Sequence, residues 1–121
     1  MTKTKQNAYS FGIWAEYFAM IILFFKGYRT LERRYKTKTG EIDLIVKRKE
    51  LLVFVEVKAR QSLSTALEAV TDRAKRRIEK TALSYIQRNP QYSGYALRFD
   101  LFACESSLKW AHLDNAWEST T

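Results

Sequence analysis

An α/β fold, with a central mixed sheet flanked by helices, is predicted by three features of the 121-residue chain. Residues 41–48 and 51–59 are two strand-like runs separated only by the polar pair Lys49-Glu50, which reads as a β-hairpin. Helical spacing of apolar residues occupies 8–26 ahead of the hairpin and 65–88 behind it. A further strand-like run at 95–104 follows the second helix, and a helix between two strands implies a crossover with parallel pairing. The element order is α-β-β-β-α-β, with a shorter edge strand added at 108–117.

The length suits one domain, 1–121, with a single core. A hydrophobic share of 46% with 14% aromatic residues excludes a disordered chain. The formal net charge of +8 points to a polyanionic partner, nucleic acid before acidic membrane. Cys104 is the single cysteine, which excludes an intrachain disulfide and a cysteine-based zinc site and fits a reducing cytoplasm. The uninterrupted apolar run 17–25 is bounded by Glu16 and Lys26 and is far shorter than the roughly 20 residues of a helical span. Lys26, Tyr28 and Arg29 follow it instead of a cleavage site, so neither membrane insertion nor export is expected.

Taken in order, residues 1–7 are polar and expected to fray, as are 118–121. The first helix is apolar on nearly every side, which predicts burial of most of its surface, and Gly27 supplies a left-handed stop. Glu16 interrupts that surface and needs a cation, either an arginine such as Arg29 or Arg34 or a bound metal. The strand at 28–38 carries Arg29, Arg33, Arg34, Lys36 and Lys38, which fit a solvated edge or a groove against phosphates. After the hairpin, 61–65 is a polar loop in which Gln61 reads as a surface residue. Thr71-Asp72 marks a break before the long helix, with Asp72 a capping residue, and Asn89-Pro90 ends it. Arg73, Lys75, Arg76, Arg77 and Lys80 give this helix a basic face, from which Lys75 and Arg76 are the candidates for backbone-phosphate contact. Asp100 is best explained as a partner for Arg98 or Lys75, and His112, the one histidine, as a surface residue. Trp110 and Trp117 suit either the end of the sheet or a dimer contact.

The hairpin carries the chemistry. A turn centred on Lys49-Glu50 places Asp43 opposite Glu56, and Glu41 opposite Lys58. One face then holds Ile42, Leu44, Val46, Val53, Val55 and Val57. The other holds Ile45, Leu52 and Phe54, followed by Asp43, Glu56 and Lys58 at the open end. Two adjacent carboxylates disfavour joint ionisation unless a cation neutralises them. Lys58 offsets part of that cost, and oxygen-only ligands suit Mg²⁺ or Mn²⁺ for the rest. The same lysine is placed to orient an attacking water or to steady charge on a phosphate oxygen. Glu-x-Lys alone is common and usually a surface ion pair; an acid in register on an otherwise apolar strand is what favours a site.

The segments 40–45 (Gly-Glu-Ile-Asp-Leu-Ile) and 54–60 (Phe-Val-Glu-Val-Lys-Ala-Arg) resemble the YraN-type family of predicted endonucleases. The likeness continues through Gly12, Ala15-Glu16, Gly27-Tyr28, Ala74-Lys75, Arg77-Ile78 and Arg98-Phe99-Asp100, spanning roughly residues 8 to 103. That family is similar to the PD-(D/E)XK nucleases, near the archaeal Holliday-junction resolvases. Ile42 stands where the superfamily name has proline. The resemblance implies a restriction-endonuclease-like core and a metal-dependent endonuclease acting on DNA, with branched or structured DNA as substrate and a homodimer as the working unit. Asp43 and Glu56 would be metal ligands with the Val57 carbonyl, Lys58 the catalytic lysine and Glu16 the helix-borne acid. Arg33, Arg34, Lys36, Lys38, Arg60, Lys75 and Arg76 are the candidate nucleic-acid contacts. The alternative is an accessory protein that binds nucleic acid on the same fold without cutting it.

Overall fold

The computed structural model describes residues 3–119. Helix α1 (Lys3–Phe25) is followed by β1 (Arg29–Thr37), β2 (Gly40–Arg48) and β3 (Leu51–Arg60). A one-turn helix α2 (Leu63–Leu67), the long helix α3 (Asp72–Arg88) and a 3₁₀ turn at Pro90–Tyr92 lead to β4 (Ala96–Glu105) and β5 (Trp110–Trp117). The five strands form one sheet in sequence order. Only β3 and β4 pair parallel, so the sheet is mixed, with its crossover made through α2 and α3.

Each face of the sheet carries one long helix. Ala15, Ala19 and Leu23 of α1 pack on Leu44, Val46, Val53, Val55 and Phe102. Ile78, Ala82 and Tyr85 of α3 pack on Ile42, Ile45, Leu52, Phe54 and Phe99. β3 is thus covered on both sides, which is why it reads as an almost unbroken apolar run. Ser62 caps α2 and Thr71 caps α3, Thr71 Oγ1 accepting the Ala74 N–H at 3.1 Å. The expected break falls where it was placed, but threonine is the cap and Asp72 opens the first turn.

Several expectations are corrected. Helix α1 begins at Lys3, so residues 3–7 extend the helix; the expected fraying of 1–2 and 120–121 lies outside the described residues. Only one stripe of α1 is buried, because a helix lying on one sheet face offers it a third of its circumference. Tyr9, Trp14, Tyr17, Ile21, Phe24 and Phe25 remain exposed. The stretch Asn7–Phe25 has the length and apolarity of a membrane span; here its stripe of Ala15, Ala19 and Leu23 is fully committed to the sheet.

His112 is not a surface residue. Its side chain is 3% exposed and hydrogen-bonds Asp100 Oδ2 at 2.7 Å. Asp100, completely buried, also accepts two hydrogen bonds from Arg98 and one from the Asn115 N–H. Burial alone would raise the Asp100 carboxyl, but the donors from His112, Arg98 and Asn115 outweigh it and hold the group below the usual carboxylate range. Both tryptophans pack the end of the sheet, Trp110 stacked on Phe102 and Trp117 on Phe99.

Candidate active site

The β2–β3 ladder runs regularly from Arg48–Leu51 to Leu44–Val55, in the register that a turn at Lys49-Glu50 dictates. There the regular ladder ends. Instead of a backbone rung, the Asp43 carboxylate accepts the Val57 N–H at 2.8 Å. On the other side of β2, Arg33 pairs with Leu44 and Tyr35 with Ile42, leaving Arg34 opposite Asp43 with a left-handed φ of +54°. Alternation breaks at this kink. Asp43 and Leu44, consecutive residues, both lie on the α1 side, while Ile42 joins Ile45 under α3. The expected face for Ile42 is therefore wrong; Asp43 and Glu56 form no ladder rung, though their carboxyl groups meet as the register predicts. The kink is what carries Asp43 toward the helix that bears Glu16.

A cavity of about 870 Å³ opens at this point, and Glu16, Asp43, Glu56, Val57, Lys58 and Arg60 all line it. Lys58 Nζ lies 3.7 Å from Glu56 Oε2. Glu56 is 9% exposed. Its burial, with the Asp43 carboxylate beside it, pushes its carboxyl up to about 9, and the Lys58 charge offsets only part of this. Clefts that hold a carboxyl so far above its ordinary range are candidate functional sites.

The donor set fits a hard divalent cation. Asp43 and Glu56 supply carboxylate oxygens, one of the Asp43 oxygens being shared with the Val57 N–H, and Val57 itself lines the cavity. Among the described residues no group of three or more His, Cys, Asp or Glu side chains is arranged to hold a metal. Glu16 stands apart from that pair because Arg34 Nε donates to its Oε1 at 2.9 Å. The ion pair with Arg34 is one of its two expected roles, and Glu16 lines the cavity from that pairing.

The candidate nucleic-acid contacts divide. Arg60 is at the cavity rim, as is the exposed Gln61, which sequence reasoning set aside. Arg34 is tied to Glu16, and Arg33 lies over the Tyr17 ring at 4.5 Å. Lys36 and Lys38 are exposed and do not line the cavity. Lys75 turns away, to Asp72 at 3.8 Å and over the Trp117 ring at 5.7 Å, and Arg76 is exposed without lining either recess. In their place Arg73 and Arg77, one helical turn apart, line a second recess of about 280 Å³ on the α3 side. Glu41 and Glu56 line both recesses and separate them. The i, i+4 spacing of Arg73 and Arg77 was visible in sequence, but which stripe of α3 faces the carboxylates was not.

A five-stranded mixed sheet between two helices, with acids and a lysine gathered on its central hairpin, defines a domain of the restriction-endonuclease-like class. Residues 15–104 match the model of the uncharacterised protein family UPF0102, and the chain belongs to that family, the YraN-type family. It is 44% identical over 117 residues to the UPF0102 protein mlr4633 of Mesorhizobium japonicum, covering 94% of this chain and 91% of that one. It is 43% identical to a UPF0102 protein of Chelativorans sp., covering 94% and 92%. A third relative, from Rhodopseudomonas palustris strain HaA2, is 42% identical over 99% of both chains.

Proposed function

We propose that this protein is a divalent-metal-dependent endonuclease that hydrolyses phosphodiesters in DNA, with branched or structured DNA as its substrate. The reading is carried by one observation, the convergence of Glu16, Asp43, Glu56 and Lys58 on a single open cavity of a chain with net charge +8. Asp43 and Glu56, with the Val57 carbonyl, would hold Mg²⁺ or Mn²⁺. Such a cation, when bound, polarises the phosphodiester and neutralises charge that builds up as the bond breaks. Lys58 keeps an ammonium beside Glu56, where it steadies negative charge on a phosphate oxygen and orients the attacking water. Glu16, held by Arg34, acts through water at the edge of the cavity. The enzyme would work in the cytoplasm, and paired cuts across a branch would call for a homodimer.

The second reading, a nucleic-acid-binding accessory protein without catalysis, is favoured by one observation. Arg34 already neutralises the third acid, leaving two carboxylates where metal sites often gather more. Incubation with linear, plasmid, single-stranded and four-way-junction DNA in Mg²⁺ or Mn²⁺ separates the two. The nuclease reading expects cutting that disappears in Asp43→Asn and Lys58→Ala. Cutting that survives both substitutions would not come from this site and would overturn the nuclease reading of it, and DNA binding with no cutting by the native chain would establish the second reading.

A further inference from the structure

We infer that the recess on the α3 side of Glu56 is a phosphate seat, in which Arg73 and Arg77 hold a backbone phosphate next to the one being cut. Arg73 and Arg77 stand one turn apart at the start of α3, and both line this recess with Gly40, Glu41 and Glu56. Among the described residues neither has a carboxylate within ion-pair distance. Arg34 and Arg98, by contrast, are each committed to an acid. Asp72, the acid of the same turn, is 82% exposed and paired with Lys75, so it does not neutralise the recess.

Gly40 lines the recess where β2 packs closely on α3. A Cβ there would sit 3.3 Å from Thr81 Oγ1 and 3.5 Å from Arg77 Cβ, narrowing the approach to α3. Two guanidinium groups on adjacent turns present forked donors to one tetrahedral anion, the geometry for which arginine is suited above lysine. Glu41 and Glu56 form the shared wall between the seat and the larger cavity. A backbone crossing that wall puts successive phosphates on its two sides. The acids would repel the second phosphate unless a divalent cation neutralised them, so the inference rests on the proposed metal-dependent reading. It adds that the substrate must be a chain with at least two phosphates, and that Arg73 and Arg77 are positioning residues.

The test measures binding of a labelled DNA duplex in Ca²⁺ across a salt series, for the native protein, R73Q/R77Q, R73K/R77K and the remote control K49Q/R88Q. The R73Q/R77Q protein should lose about tenfold in affinity, and its slope of log K against log salt should flatten by roughly 0.9, one phosphate contact. R73K/R77K should restore the slope but not the full affinity. The control, which removes the same charge, should change affinity by less than about threefold with an unaltered slope. Equal losses in R73Q/R77Q and the control would overturn the seat, as would native protein that binds no DNA. With Mg²⁺, R73Q/R77Q should raise KM for an oligonucleotide far more than it lowers kcat, and R73K/R77K should recover part of that rise. Native protein that binds in the stated pattern yet cuts nothing would sink the nuclease reading and leave the seat standing.

Discussion

At the scale of single residues, the site is stored electrostatic cost. Glu56 is buried beside Asp43, so its folded carboxyl ionises near 9 while the unfolded chain ionises it in the ordinary carboxylate range. Between those values the folded protein holds a proton that the unfolded chain has released, and stability therefore falls as pH rises through this window. Each unit costs up to about 1.4 kcal/mol, an upper bound because Lys58 and solvent relax part of it. In chelator, Glu56→Gln should be more stable than the native protein, with a gap in thermal midpoint that widens from pH 5 to pH 8. A gap that is constant with pH would remove Glu56 as the buried acid. Asp43 is a different case, since its carboxylate also holds the Val57 N–H. Asp43→Ala leaves that donor without a partner and should cost about 1–3 kcal/mol in denaturant unfolding, whereas Asp43→Asn keeps an acceptor and should cost less.

At the scale of elements, α1 has two unlike faces. Ala15 and Ala19 are fully buried where the helix meets the sheet, and their small size sets how closely it approaches. Ala19→Leu should cost about 1–3 kcal/mol through overpacking. Phe24 and Phe25, 67% and 81% exposed, should be replaceable together by serine with a change in unfolding free energy within about 0.5 kcal/mol. A large loss in that double variant would mean the exposed aromatics support the fold. Helix α3 depends on its start: Thr71→Ala removes the acceptor for the Ala74 N–H and should cost about 1 kcal/mol.

At the scale of the whole molecule, the parallel β3–β4 pair joins the hairpin to the C-terminal strands. The last strand is fastened through buried Asp100, which ties β4 to β5 by His112 and the Asn115 N–H. Cys104 lies in the α1-side core at 1% exposure, and burial pushes its thiol up to about 11. Its alkylation at neutral pH should therefore track global unfolding, with rates that rise in step with denaturant-induced opening. Rapid labelling of the native protein would show that β4 opens locally.

The amino-acid sequence was sufficient for whatever depends on neighbours along the chain. Period-two alternation in 41–48 and 51–59 specified the hairpin and its register, because a slip of one residue would expose a whole apolar face. The same local logic located Asp43, Glu56 and Lys58, the helix break at Thr71 and the parallel crossover. What the sequence could not carry is whatever depends on which side of an element meets which other element. The Arg34–Asp43 kink reverses the strand faces through backbone geometry that no residue type announces. The choice of Arg73 and Arg77 over Lys75 as cleft-lining cations follows from the rotation of α3 against the sheet. The burial of His112 follows from a partner, Asp100, that lies on a neighbouring strand. Only packing in three dimensions decides these, because burial and pairing energies act between surfaces that the linear order leaves far apart.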